Sequence, residues 1–195
     1  MTVLGGYKGN VRDVLGFYNN QDPSPAEAFV RRNQPRNGLY DSASDTGQVA
    51  LTTQVMTSVP IYLHAGDVVT SISVRTGATA AGTPTNWWFA LYSKAATPAL
   101  LAQTADQLTG AMAANTTFTK ALQTAQTITE SGVYWVGIMV KATTVPTLLG
   151  SAAAPAIATG ERNLAQSSGT GLTTTAPPTI ASPAATQFAP YVAIT

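Results

Sequence analysis

The only histidine of the chain, His64, stands three residues before Asp67 across the turn sequence Ala65-Gly66. At that spacing a carboxylate can orient an imidazole, and the pair would form a general base and its orienter. The plainer reading is a histidine hydrogen-bonded at a strand end, and it is the stronger one. No nucleophile motif accompanies the pair, because neither Gly-x-Ser-x-Gly nor Ser-x-x-Lys occurs and there is no cysteine. Asp67, Asp106, Glu130 and Glu161 could supply a carboxylate pair for glycoside cleavage only by meeting in space; each reads instead as a turn or exposed strand-end residue. On that reading amides can replace His64, Asp67 and Glu130 with little effect. One histidine and no thiolate make a poor metal-ligand set. Gly5-Gly6-Tyr7-Lys8-Gly9 lacks the spacing of a phosphate-binding loop. No enzyme activity, metal or cofactor is expected.

A second chemistry resides in aromatic side chains. Trp87-Trp88 and Tyr134-Trp135 could line a sugar-binding surface, since aromatic faces stack on pyranose rings, but in apolar strands such residues are more often core. Adjacent residues of a strand point to opposite faces. One ring of Trp87-Trp88 therefore faces away from whatever core the other fills, and needs cover from the N-terminal segment, a long loop or another subunit. Trp135 is expected to be buried, with Val133 and Met139 on its face.

The charges are unevenly distributed. The ten basic and nine acidic residues leave a net charge of +1, too weak a field to attract nucleic acid or an anionic membrane. Lys8, Arg12, Asp13, Asp22, Glu27, Arg31, Arg32, Arg36, Asp41 and Asp45 all fall before residue 48, which leaves an almost uncharged body rich in Ala, Thr, Ser and Gly. No apolar run approaches the length of a membrane span; the longest, Val133 to Val140, is strand length. Met1 to Asn10 lacks the apolar core of a secretory signal, so synthesis in the cytoplasm without membrane insertion is expected.

These patterns define two parts. Residues 1–47 form an extended, turn-rich arm. Within it Ser24 can cap a helix, Pro25 suits the first helical position and Glu27 completes a capping box, which predicts a short helix over 25–32 with Arg31 and Arg32 in its last turn. From about residue 48 the apolar period becomes two. Strands are expected at Val49 to Met56, Val59 to Leu63, Val68 to Val74, Trp87 to Tyr92, Leu100 to Thr104, Thr117 to Leu122, Thr127 to Ile128, Val133 to Val140 and Phe188 to Ile194. The strands containing Trp87-Trp88 and Tyr134-Trp135 are apolar on both faces, as for central strands. Residues 150–186, rich in Ala, Ser, Thr, Gly and Pro, read as a long loop ordered by a neighbour or as a region of unrecognised strands. The fold class is all-β: a jelly-roll-like antiparallel β-sandwich over 48–195 with the arm attached.

The stretches Ile61 to Val74, Thr83 to Tyr92 and Gly132 to Val140 resemble β-sandwich domains in structural proteins of tailed bacteriophages, especially those of actinobacteria. The resemblance spans roughly residues 48–150 and lies in overall style, with no catalytic motif. It implies a non-enzymatic protein of the virion, most like a capsid decoration protein on the head surface, with a minor tail protein or a receptor- or carbohydrate-binding module that contacts a host-surface glycan as the alternative. The expected partners are the major capsid protein or sister subunits in a homo-oligomer, with neither nucleic acid nor membrane. Tyr7, Phe17, Tyr18 and Phe29 would be the apolar anchors of the arm, and Lys8, Arg12, Arg31, Arg32 and Arg36 its polar contacts, or else these residues wrap the arm onto its own body.

Overall fold

The computed structural model describes residues 30–34 and 50–195. Every regular element among them is a strand: β1 (Arg31–Arg32), β2 (Met56–Leu63), β3 (Val68–Arg75), β4 (Asn86–Tyr92), β5 (Leu100–Gln103), β6 (Thr117–Thr127), β7 (Gly132–Lys141), β8 (Gly150–Ala152), β9 (Gln166–Ser168), β10 (Ala184–Ala185), β11 (Phe188–Pro190) and β12 (Val192–Ile194). A six-stranded sheet runs β10-β9-β2-β7-β4-β5, a four-stranded sheet runs β1-β12-β3-β6, and β11 pairs with β8. All the pairings are antiparallel.

The core follows from period two. Val59, Ile61 and Leu63 of β2, Trp87, Phe89 and Leu91 of β4, and Tyr134, Val136, Ile138 and Val140 of β7 share one buried cluster with Ile72 and Val74 of β3 and Val192 and Ile194 of β12. The two larger sheets thus pack face to face, an arrangement consistent with a β-sandwich. A bridge from Thr104 to Leu122 links them at one edge. There Lys120 sits 5.0 Å from the Trp87 ring centroid, an inward-pointing charge of the kind that discourages pairing along an edge strand.

Pro60 lies inside β2, where a missing N–H would break a central ladder. The sheet tolerates it because β9 pairs only with Met56, Thr57 and Ser58. At Pro60 the β9 side of the strand has no partner that needs the bond.

The other residues of β4 and β7 point outward and are also buried. Trp88, Ala90, Tyr92, Trp135 and Met139 join Met56, Ala176 and Ile180 in a second cluster. The segment between β9 and β10 supplies the cover that Trp88 requires, which settles that question in favour of the long loop. It is held by backbone bonds: Leu172 N–H to Gln54 O (3.0 Å), Leu100 N–H to Pro178 O (2.8 Å) and Ile180 N–H to Pro98 O (2.9 Å).

Three expectations change, and the alternative left open for residues 150–186 is decided for unrecognised strands with a loop between them. Residues 50–55 hold a turn with Gln54 at φ 60° in place of a strand, and β2 begins at Met56. The 150–186 region contains β8, β9 and β10, each too short to show a period. Phe188 to Ile194 is two strands in different sheets. Arg31 and Arg32, expected in a helical turn, are extended and pair with β12, because the unpaired side of β12 offers ladder bonds that outweigh a local capping preference. The rest of the expected helix, residues 25–29, lies outside the described residues.

Candidate functional site

The first site is the anchorage of β1. Arg31 stands opposite Ile194 and Arg32 opposite Ala193. Next to them the Asn33 side chain bonds on both sides of Tyr191, donating to Pro190 O (2.8 Å) and accepting from Val192 N–H (2.8 Å). Gln34 donates to Ala189 O (3.0 Å) and bonds the Ser151 hydroxyl. The Arg31 guanidinium grips Asp67 with two parallel bonds, Nε to Oδ2 and Nη2 to Oδ1, each 3.0 Å. Fork-on-fork pairing of this kind is among the stronger charged contacts, and it is largely sheltered, with the side chains 24% and 9% exposed.

Asp67 thereby acquires a role not visible in the sequence. Its Oδ2 also accepts the His64 backbone N–H at 2.9 Å, so one carboxylate closes the β2–β3 turn and holds β1. Gly66, at φ 95° in that turn, occupies a conformation that favours glycine. An amide offers one acceptor oxygen where Arg31 needs two. Asn at position 67 would keep the bond to the His64 N–H or one arm of the fork, and the strand-end role expected of Asp67 thus extends to holding β1. The His64 ring packs edge-on to Tyr62 with centroids 5.1 Å apart, and its Nδ1 lies 3.9 Å from Asp67 Oδ2.

The remaining carboxylates of the body each have a local partner. Asp106 accepts the Asn86 amide (2.5 Å) and the Trp87 backbone N–H (3.0 Å). Glu130 pairs with Lys94 at 2.5 Å, and that contact lowers the carboxyl pKa and raises that of the ammonium. Glu161 accepts N–H bonds from Ile157 (2.7 Å) and Ala158 (3.0 Å), which hold its carboxyl below the ordinary range. Burial raises the Tyr92 and Tyr134 phenols. No group of three or more His, Asp or Glu side chains among the described residues could hold a metal ion.

The second site lies on the outer face of the six-stranded sheet. Trp88 Nε1 donates to Thr173 O (2.7 Å) and the Tyr92 hydroxyl to Pro177 O (3.0 Å), so over β4 the covering segment supplies an acceptor to each ring. Toward β9 it does not. Ser58 Oγ, Ser168 Oγ and Trp135 Nε1 are buried there without a hydrogen-bond partner; Ser58 stands opposite Gly137 and Gln166, and Ser168 opposite Met56. A cleft of about 510 Å³ opens above Trp135, lined among others by Pro98, Glu161, Arg162, Asn163, Gln166 and Ile180.

Of the residues expected to make contacts, Arg31 and Arg32 are built into the body's own sheet. Tyr7, Lys8, Arg12, Phe17, Tyr18, Phe29 and Arg36 lie outside the described residues. Sequence reasoning missed Arg162, Asn163 and Gln166 at the cleft. Their signal was present, since Glu161 and Arg162 are the only charged residues between 150 and 186. Compared with known proteins, the chain matches no family model and no curated protein.

Proposed function

We propose that this chain is a non-enzymatic structural protein of a bacteriophage virion: a jelly-roll-like body displayed on the head surface as a capsid decoration protein and docked through the segment that precedes β1. The observation that supports this reading most is the anchorage of residues 30–34. Two backbone pairs, two amide side chains and the Arg31–Asp67 fork fasten the chain to the body beside β12. A load on the N-terminal segment is thus transmitted into a sheet. The charge partition agrees, with a polar arm suited to specific contacts and a near-neutral body. The succession β2, β3, β4, which passes from one sheet to the other and back, is the crossing habit of jelly rolls. Each described body carboxylate has a bond at a turn or strand end, the use a structural protein makes of them.

The test is quantitative mass spectrometry of purified virions. Hundreds of copies per particle are expected for a head protein. A handful would move the assignment to a minor tail protein, and absence from the particle would overturn the reading. A variant lacking residues 1–20 should remain folded by circular dichroism yet fail to co-sediment with particles; normal incorporation would remove the docking role of the arm.

A further inference from the structure

We propose that the outer-face cleft is a binding site for a saccharide unit, with Arg162, Asn163 and Glu161 making the first contacts at its rim and the Trp135 indole N–H gained as the ligand seats. This inference stands on the cleft alone and is independent of where the protein resides.

In the outer-face cluster three rings, Trp88, Tyr92 and Trp135, carry an N–H or O–H handle. Trp88 and Tyr92 have their acceptors, and on the inner face Trp87 Nε1 donates to Gly110 O at 2.7 Å. Trp135, only 4% exposed, is the exception. A buried donor without an acceptor costs free energy that a suitably placed oxygen restores. The neglected donor belongs to a ring that lines a cleft of a size that holds small ligands.

The rim decides the ligand class. The exposed Arg162 guanidinium has no hydrogen-bond or ionic partner among the described residues. Glu161 Oε2 is occupied by two backbone N–H groups, and Oε1 remains an acceptor. Asn163 donates to Gln166 Oε1 at 3.0 Å, which leaves the Asn163 carbonyl as a further acceptor. Donors and acceptors therefore alternate around the opening, while Pro98, Ile180 and Pro183 form an apolar wall. A sugar ring has this combination, with hydroxyls that both donate and accept around a C–H face. The neighbouring Glu161 carboxylate disfavours a phosphate group. The faces of Trp135 are packed within the second cluster, so no aromatic platform is open for a nucleobase. Because the N–H is closed to solvent, it is reached only as the rim side chains part, and it reports seating rather than encounter.

The experiment is NMR on the full chain titrated with glucose, galactose, N-acetylglucosamine and glucuronic acid at millimolar concentration. The spectrum contains three indole N–H resonances, one for each tryptophan. For at least one sugar a saturable shift is expected in the Trp135 resonance alone, those of Trp87 and Trp88 being tied already to backbone carbonyls. Arg162→Ala, an exposed change that does not touch the core, should weaken binding about tenfold, the factor that corresponds to the loss of one good polar contact. Trp135→Phe should remove the reporter and weaken binding by a similar factor. No saturable shift with any of the four sugars, equal shifts in all three indoles, or binding unchanged in Arg162→Ala would each overturn the assignment.

Discussion

On its inner face the six-stranded sheet presents Val59, Ile61, Phe89, Leu91, Val136 and Ile138 to the β3 and β12 side chains of the facing sheet. On its outer face it presents Met56, Trp88, Tyr92, Trp135 and Met139 to a segment without a strand between Gly169 and Pro183. Where sheet faces sheet, most of the contact is made by branched aliphatic side chains that need nothing polar from their partners, and the inner rings with a polar tip, Trp87 and Tyr134, donate to the loop carbonyls of Gly110 and Glu130. A loop used as a lid brings backbone carbonyls and N–H groups along, and these must be paired. The outer face therefore carries large rings with a donor at the tip. Gln103 of β5 does the same work for the lid, accepting the Ala176 N–H at 2.7 Å and donating to Thr174 O at 3.3 Å. Pro177 and Pro178 reduce the requirement by removing two donors.

The largest expected effect tests whether lid and sheet form one cooperative unit. Trp88→Ala should destabilise the protein by about 3–5 kcal/mol, the usual result of deleting a fully buried large aromatic, and Trp88→Phe by about 1 kcal/mol, mostly the bond to Thr173. Denaturant melts give both numbers. Hydrogen exchange sharpens the comparison: in Trp88→Ala the amides of Leu172, Ala176 and Ile180 should lose protection before those of β3, whereas in Trp87→Ala the loss should be global. Equal loss everywhere in both variants would mean that the lid has no separate existence.

The sheets were legible and the lid was not, for a physical reason. Alternation in β3 and continuous apolarity in β4 and β7 are imposed by what touches each face, so a period of two and a double-sided strand show in the residues themselves. The opposite pointing of Trp87 and Trp88 followed from strand geometry alone, including the need for a cover. The lid is fixed by long-range bonds such as Leu172 to Gln54 and Tyr92 to Pro177, and a carbonyl acceptor leaves no trace in residue type. The same holds for β1. Its partner β12 lies more than 150 residues away in sequence, while the local capping pattern pointed to a helix. Asp67 was correctly singled out and given too small a role, because its partner Arg31 could be recognised only from the fold.

Gly137 probes how tightly the outer face is filled. A Cβ there would fall 2.5 Å from Met56 Sδ and 3.3 Å from Tyr92 Cε2. Gly137→Ala should cost about 1–3 kcal/mol through overpacking, moderated because the Met56 thioether is flexible. A neutral result in thermal melts would show that the lid floats over the sheet with room to spare, which would break the likeness between the two buried faces.

The edge of the four-stranded sheet is closed by a third material, charged and amide side chains. Arg31→Ala leaves the mostly buried Asp67 without its guanidinium and should cost about 1–2 kcal/mol, the usual worth of a charged hydrogen bond reduced for partial exposure. Arg31→Lys should recover only part, since an ammonium cannot form both parallel bonds. Exchange at Val192 and Ile194 should rise in both variants. If melting and exchange remain as in the wild type, the backbone pairing of β1 with β12 suffices and the fork is ornamental.

The smallest effect belongs to the lip of the cleft, where Glu161 holds the turn at Ile157 and Ala158. Its carboxyl is depressed by the two N–H bonds it accepts, so its contribution is present above the ordinary glutamate pKa and is lost as pH falls through the lower, folded value. Acidification should therefore shift the Ile157 and Ala158 amide resonances together, with a midpoint below that of a free glutamate. The melting temperature of Glu161→Gln should match the wild type at neutral pH, because the residues concerned are exposed and the Gln carbonyl still accepts a bond. In Glu161→Gln this acid transition should vanish, while any step from Glu130, held down by Lys94, remains. If the Trp135 indole resonance moves with the same midpoint, the lip and the floor of the cleft are coupled, and the turn at Ile157 and Ala158 then moves with the lid as one body. If it stays still, the turn at the rim opens by itself, and a loop-built cover differs from a sheet-built one in being divisible into parts.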